Sequence, residues 1–307
     1  MFFESALQGK NSFWRYLVMF VVVFAVTNTI GALPLISVII VQGIKNPEIL
    51  DTSTENLMNL SAYGIDSNVG LLLMIFPFII GILALYLLFK PLHGRRFISL
   101  FSGAGRIRWN RFIISALVWL ILMGIYLYFS IVNNPDNFTL NNVSGSLIWL
   151  IVIAVLFIPL QTSFEELLFR GYLMQGAGAW FRNKWMPLLL TSILFGLMHA
   201  FNPEIKEFGF WVMMPQYIMF GLVFGLVTIL DNGIEIAMGA HAANNVFLSI
   251  FVTQKSSALQ TAAIYEQNQV YPWTEFIALL VISVLFVAIM GIFNRWCFRE
   301  VFRLKSE

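Results

Sequence analysis

Charged side chains are scarce in this sequence, because Asp, Glu, Lys and Arg make up only 11% of its 307 residues. A soluble globular domain carries about 25% charged residues, whereas 59% of this chain is hydrophobic. A surface with so few charges could not be hydrated if the chain folded in water. The composition therefore excludes a soluble domain and predicts an integral membrane protein embedded in the lipid bilayer.

Cysteine and net charge are also close to absent. The single cysteine, Cys297, excludes an intrachain disulfide and a cysteine metal cluster. Its apolar neighbours predict a small buried side chain. The formal net charge of +2 gives no support for a nucleic-acid partner.

Long apolar runs are abundant, and a spanning helix needs about 20 such residues. We therefore predict an all-α fold, a polytopic transmembrane helix bundle with about eight spans. The predicted spans are about 17–42, 71–89, 112–132, 147–164, 187–203, 210–230, 234–253 and 275–294. Residues 1–307 form a single membrane domain, which we divide into N-terminal helices (1–146), a motif-bearing core (147–253) and a last span with a basic tail (254–307).

The positions of Lys and Arg predict the orientation, because cytoplasmic loops carry an excess of both. If the N-terminus is cytoplasmic, all but three of the 18 basic residues fall on the cytoplasmic side. The exceptions are Lys45, Lys206 and Lys255. This asymmetry predicts that both termini are cytoplasmic.

Ionisable residues inside apolar stretches are the most informative feature, since they are costly in a membrane and usually functional. One of the three histidines, His93, lies in the basic loop and is interpreted as solvated. The other two lie within apolar stretches, together with several further polar residues. These candidate residues are Glu165, Glu166, Arg170, His199, His241, Asn244 and Asn245.

The first group of candidates continues the fourth span. Residues four apart share one face of a helix, so Glu166 and Arg170 are predicted to pair. Glu165 points about 100° away around the helix and has no predicted partner on its own helix. An unpaired, partly buried carboxylate is a candidate general base.

The other candidates lie on two further spans, and two chemistries remain open for them. Glu165, His199 and His241 could bind Zn²⁺ and leave one position for water. Alternatively, Glu165 and His199 could activate water without a metal, while His241 and Asn245 donate to the oxyanion of an attacked carbonyl. Both describe hydrolysis of a peptide bond.

The depths of these residues do not coincide if every helix is straight. With a rise of about 1.5 Å per residue, Glu165 lies near the cytoplasmic end of its span. His241 then lies about 12 Å into the membrane and His199 about 18 Å. Convergence therefore requires a bend at Pro159, a tilt, or a deeper start of the fifth helix.

The ordered motifs Glu165-Glu166-x-x-x-Arg170, Phe195-x-x-x-His199 and His241-x-x-x-Asn245 resemble the signature of the CPBP family. That family contains the type II CAAX prenyl endopeptidases and the bacteriocin-processing Abi proteins. The resemblance implies an intramembrane protease with a membrane-associated peptide or protein substrate and a site open toward the cytoplasm. It implies that Glu165, assisted by His199, activates water, and that His241 and Asn245 bind the oxyanion or the histidines join Glu165 in holding Zn²⁺. Glu166 and Arg170, with Phe195 of the second motif, would support the site.

Three other interpretations compete with an enzyme. Each polar residue, taken alone, is explained as well by packing or by an interhelical hydrogen bond as by a catalytic role. The whole set could belong to a non-catalytic bacteriocin-immunity or scaffold protein, or to a proton-coupled transporter that uses Glu165, His199 and His241 as a relay. No internal duplication of the kind many transporters carry is evident. We favour a peptidase of the bacterial plasma membrane.

Overall fold

The computed structural model describes residues 2–48, 60–142 and 145–298, so the end of the basic tail lies outside the described residues. The described residues are mostly helical, which confirms the predicted all-α bundle. The helices of the first half are α1 (Glu4–Leu7), α2 (Phe13–Asn28), α3 (Leu33–Lys45), α4 (Ser67–His93) and α5 (Trp109–Asn133). Those of the second half are α6 (Ser146–Glu166), α7 (Met174–Phe181), α8 (Trp185–Met198), α9 (Pro203–Phe208), α10 (Phe210–Asp231), α11 (Glu235–Phe251) and α12 (Pro272–Asn294).

All eight predicted apolar stretches are largely helical, but they differ in length, and a turn at residues 29–32 divides the first between α2 and α3. Within the described residues, six helical segments are long and apolar enough to cross a membrane, counting α2 and α3 together. The fifth and seventh stretches are shorter than predicted, because α8 has 14 residues and α11 has 17. The predicted fifth span, 187–203, extends past the end of α8 at Met198. His199 directly follows the first of these short helices, and His241 lies within the second.

The fourth span is much longer than the predicted 147–164. Helix α6 continues through a π-helical segment, Leu167–Leu173, directly into α7. The resulting segment, Ser146–Phe181, has 36 residues, and Glu165 lies near its middle. This continuity removes the predicted mismatch in depth between Glu165 and His199, since Glu165 is about 24 Å from the Phe181 end and His199 about 21 Å from the start of α8.

Helix α11 is at the centre of the bundle and packs most extensively against α5 and α6. Residues 239, 240, 242 and 243, around His241, are glycine or alanine, and a Cβ at Gly239 would collide with the backbone of Phe112 in α5. Helices α8 and α10 approach just as closely, because a Cβ at Gly221 would lie 2.6 Å from Cα of Ser192. Small residues therefore bring the helices of the candidate site into close contact, while large apolar side chains such as Leu87 and Ile277 remain exposed on the outer surface.

The two ends of the bundle are different. A three-stranded sheet caps one end, with strands β1 (Phe138–Leu140), β2 (Val252–Thr253) and β3 (Tyr265–Gln267) in the order β1-β3-β2. The other end, which we call the basic end, is formed by α1, the loop of residues 94–108 and the turn between α10 and α11. Two hydrogen bonds join these parts, from Gly103 N to Asn232 O and from Phe2 N to Asn232 Oδ1.

Two predictions about the basic end are wrong. His93 is fully buried at the end of α4; its Nε2 lies 2.8 Å from the Tyr172 hydroxyl and its Nδ1 2.8 Å from Lys10 O. It therefore joins α4 to the π segment and the N-terminal region instead of being solvated. Cys297 is exposed, because it follows the end of α12, beyond the packed part of the bundle.

Candidate active site

The predicted pair Glu166–Arg170 is present and fully buried. Arg170 Nη1 donates to Glu166 Oε1 at 2.8 Å, and the two side chains are 1% and 0% exposed. The guanidinium also lies 4.4 Å from the ring centre of Phe195 in α8 and donates to the backbone oxygen of Gly221 in α10 at 3.4 Å. Arg170 therefore connects the π segment to two neighbouring helices.

His241 lies between the two glutamates. Its Nδ1 is 2.7 Å from Glu166 Oε1, and this nitrogen carries the proton because a carboxylate bound to Arg170 can only accept. Its Nε2 faces Glu165, 3.5 Å from Oε2. The orientation of the imidazole is thus set by Glu166, and its second nitrogen is directed at the candidate base.

Glu165 has a partner that the sequence interpretation missed. Gln161 Nε2, one turn earlier in α6, donates to Glu165 Oε1 at 2.6 Å, so the prediction that Glu165 has no partner on its own helix is wrong. The other oxygen, Oε2, is buried and accepts no hydrogen bond within the described residues. One carboxylate oxygen therefore fixes the side chain, and the other remains available to accept from water.

A chain of hydrogen bonds with one direction ends at Glu165. Trp119 Nε1 donates to Asn244 Oδ1 at 3.2 Å, and Asn244 Nδ2 donates to Asn245 Oδ1 at 3.1 Å. Asn245 Nδ2 in turn donates to Gln161 Oε1 at 3.1 Å. Each amide accepts from the previous residue and donates to the next, so α5, α11 and α6 jointly orient the carboxylate.

His199 is positioned by the end of α8 and by two aromatic rings. Its Nδ1 donates to Phe195 O at 2.8 Å, since a carbonyl oxygen can only accept, and this leaves Nε2 as an acceptor in the neutral ring. The imidazole stacks on Tyr217 of α10, with 4.6 Å between ring centres, and its centre is 4.7 Å from that of Phe195. Phe195 links this imidazole to His241, whose ring centre lies 6.0 Å from that of Phe195.

The structure therefore brings the predicted residues together from three segments, with Gln161, Trp119 and Tyr217 as additional members. Glu165 and His241 are 9% and 5% exposed, whereas His199 and Asn245 are half-buried. The accessible side of the cluster accordingly lies toward His199 and Asn245. Trp119 and Tyr217 could not be identified from the sequence, because neutral polar and aromatic residues are common in membrane helices. Gln161 could have been identified from its four-residue spacing to Glu165.

The donor set does not match a zinc site. Zinc in catalytic sites takes three protein ligands, and Glu165 and His241 are close enough to supply two. Within the described residues, however, no three side chains of His, Cys, Asp or Glu are grouped so that they could hold a metal ion. The predicted third ligand, His199, is stacked against Tyr217 and is not part of such a group. We therefore derive the chemistry from the side chains alone.

Fold and site together define an integral membrane protein with a buried acid–base cluster of glutamate, histidine and amide side chains. A family model described as type II CAAX prenyl endopeptidase Rce1-like matches residues 144–247, which include every residue of this cluster except Trp119 of α5. The uncharacterized protein YyaK of Bacillus subtilis (strain 168) is 32% identical over 259 residues, which cover 83% of each chain. No solved structure matches the chain. The chain belongs to the Rce1-like family of type II CAAX prenyl endopeptidases, a family of proteases.

Proposed function

We propose that this protein is an intramembrane endopeptidase that hydrolyses a peptide bond of a membrane-associated peptide or protein substrate. The observation that carries the proposal is the free oxygen of Glu165, which is held 3.5 Å from His241 Nε2 inside a buried polar cluster. A fixed carboxylate beside imidazole groups is suited to removing a proton from water. The family membership supports a peptide bond as the target.

In the proposed first step, a water molecule between Glu165 and His199 is activated and attacks the scissile carbonyl carbon. Glu165 Oε2 takes the proton, while His199 Nε2 accepts a hydrogen bond from the same water and orients it. The bond from water oxygen to carbon forms as the carbonyl π electrons move onto oxygen. The tight contact with Gln161 keeps Glu165 from rotating away during this step.

The developing oxyanion requires hydrogen-bond donors in a site from which water is excluded. Asn245 uses one amide hydrogen for Gln161 and has a second one to offer. His241, whose Nδ1–H is held by Glu166, would offer Nε2–H in its doubly protonated form. In the second step the proton held by Glu165 passes to the departing nitrogen, the C–N bond breaks, and a carboxylic acid and an amine leave.

The positive-inside tendency supports a basic end that faces the cytoplasm. On that basis we propose a plasma-membrane protein of a bacterium whose substrate is held in or at the bilayer. A prenylated peptide and a bacteriocin precursor both satisfy this description, since each presents an extended segment next to an apolar anchor.

The decisive experiment is cleavage of membrane-tethered peptides by the purified protein. We expect Glu165→Gln and His199→Ala each to lower the rate constant by about 10²–10⁴-fold, the range that general acid–base groups contribute. Glu207→Gln is a matched control, because Glu207 is exposed and outside the cluster, and it should cleave like wild type. Thermal unfolding in detergent establishes that each variant is folded. Cleavage at the wild-type rate by the folded Glu165 and His199 variants would refute the proposal.

The same assay tests whether cleavage requires a metal ion. Because the described donors do not form a three-ligand group, we expect a strong chelator to leave the wild-type rate unchanged and added Zn²⁺ not to increase it. Loss of cleavage on chelation, followed by recovery with Zn²⁺, would contradict the metal-free mechanism while leaving the peptidase assignment intact.

A further inference from the structure

Arg95, at the basic end, is a buried cation surrounded by neutral groups. The residue is 7% exposed, and the two hydrogens of its Nη2 are shared among Gln175 Oε1 at 2.6 Å, Ser5 Oγ at 3.0 Å and Ser99 Oγ at 3.1 Å. Both serine hydroxyls donate their own protons to backbone oxygens, so they act toward Arg95 as acceptors. The guanidinium therefore has hydrogen-bond partners but gains no opposite charge from them.

Among the described residues, no carboxylate forms an ion pair with Arg95. Its Nε is also buried without a hydrogen-bond acceptor. Burial lowers the pKa of the Arg95 guanidinium below its usual range, which reflects the cost of removing this charge from water. Buried charges in proteins are ordinarily paired, as Arg108 is at the same end of this bundle with Glu235 at 2.6 Å.

A polar pocket of about 370 Å³ opens next to Arg95. Its walls include the hydroxyl-bearing residues Ser5, Ser99 and Ser102 and a second arginine, Arg96. Arg96 is exposed, and no Asp or Glu of the described residues lines the pocket. Two guanidinium groups beside one cavity supply the charged N–H donors that phosphate oxygens prefer.

We propose that the pocket between α1 and the 94–105 loop binds a phosphate group, and that this phosphate supplies the counter-charge to Arg95. The phosphate belongs either to the headgroup of an anionic phospholipid or to a free phosphate ion. The basic end as a whole favours such a ligand, because clustered Lys and Arg at a membrane surface attract anionic headgroups. The inference does not depend on the proposed peptidase activity.

The pocket is connected to the long helix that carries Glu165. Arg95 binds the side-chain oxygen of Gln175 in α7, and Gln175 Nε2 donates to Ser99 O at 2.8 Å. A phosphate bound at Arg95 would therefore fix the 94–105 loop against α7, the last part of the segment Ser146–Phe181. This arrangement makes the pocket a site that stabilises the basic end when it is occupied.

The test is binding measured on the full chain purified in a neutral detergent. Native mass spectrometry with titrated phosphatidylglycerol and phosphatidylcholine measures lipid binding, and thermal unfolding with inorganic phosphate against chloride at equal ionic strength measures anion binding. We expect the wild type to bind phosphatidylglycerol about tenfold more tightly than phosphatidylcholine, or to gain thermal stability in phosphate. A preference in the lipid arm alone identifies the headgroup as the source, and an effect in phosphate alone identifies the free ion.

Three variants establish where the ligand binds. Arg95→Gln should weaken binding about tenfold or more, and Arg96→Gln about fivefold, since each removes a charge-assisted hydrogen bond. Arg106→Gln is the matched control, because Arg106 is an exposed arginine of the same loop that does not line the pocket; it should bind like wild type. If Arg95→Gln does not fold, the proposal is tested by comparing the affinity of Arg96→Gln with that of the control Arg106→Gln. No preference in either arm, or equal losses in Arg96→Gln and Arg106→Gln, would overturn the proposal.

Discussion

Gln161 donates its side-chain amide to Glu165 at 2.6 Å, one helical turn before the glutamate on α6. The same amide group accepts from Asn245 through its oxygen. Gln161 thus lies between the proposed base and the proposed oxyanion donor, and a change in its side chain disturbs both. It is a positioning residue, since it acts on the reaction through these two neighbours.

The first prediction concerns Gln161→Met, which keeps the shape of the side chain and removes its amide. We expect kcat for a membrane-tethered peptide to fall about 10–100-fold, because Glu165 and Asn245 lose their fixed orientation. KM should change little. The neighbouring Thr162→Val is the control, since the Thr162 hydroxyl bonds only to backbone oxygens of its own helix. A fall in kcat shared equally by both variants would indicate a general packing effect and contradict the positioning role.

The second prediction concerns the buried pair Glu166–Arg170. Removing one partner leaves an uncompensated charge in the bundle, which costs about 3–5 kcal/mol. We expect Arg170→Gln and Glu166→Gln each to lower the thermal midpoint in detergent substantially. The double variant should lose less stability than the two single variants together. A double-mutant cycle measures this coupling. Additive losses would show that the two side chains do not stabilise one another.

The third prediction uses Cys297 to determine the orientation of the bundle. Cys297 is the only cysteine of the chain, is exposed, and lies at the basic end after α12. We expect a membrane-impermeant maleimide to label it only after the cell membrane is opened, because the basic end should face the cytoplasm. In the variant Cys297→Ser with Lys255→Cys, the thiol lies at the opposite end and should be labelled in intact cells. The reverse pattern would invert the orientation.

The fourth prediction concerns Glu204, which lies in α9 outside the spanning helices. The residue is 8% exposed, and its Oε1 accepts from Ala258 N at 2.9 Å. Burial raises the pKa of this carboxyl group. The folded state therefore holds the proton more firmly than the unfolded state, and wild type loses stability as the pH rises from about 4 through the raised pKa.

Glu204→Gln does not titrate and should not show this loss. We expect its stability relative to wild type, followed by thermal unfolding, to increase as the pH rises from about 4 to 7. Glu207→Gln, three residues further along the chain, is exposed and should follow the wild-type profile. A difference between Glu204→Gln and wild type that is constant with pH would rule out this titration.

The sequence predicted those parts of the site that depend on local spacing or on the cost of charge in a membrane. Glu166 and Arg170 were expected to pair because four residues separate them on a helix, and they do. His199 and His241 stood out because imidazoles are rare within apolar runs. The class of fold followed from composition and from the length of the apolar stretches.

Other parts could not be predicted because they depend on distant segments. The role of Gln161 requires the register between α6 and α11, and that of Tyr217 requires the position of α10 next to the end of α8. The predicted mismatch in depth arose because the fourth span was assumed to end at residue 164. The apolar pattern continues past residue 164, but nothing in it indicates that a π-helical segment leads on to Phe181.

That π segment determines how the two halves of the long helix are rotated about their shared axis. A π turn contains more residues than an α turn, so residues 167–173 offset the angular phase of everything that follows. Deleting one residue there would turn Gln175 by about 100° away from Arg95 and leave Glu165 facing His241. The number of residues between Glu165 and Gln175 therefore determines the angle between two faces of one helix. One face is directed at the proposed hydrolytic site and the other at the pocket of the basic end.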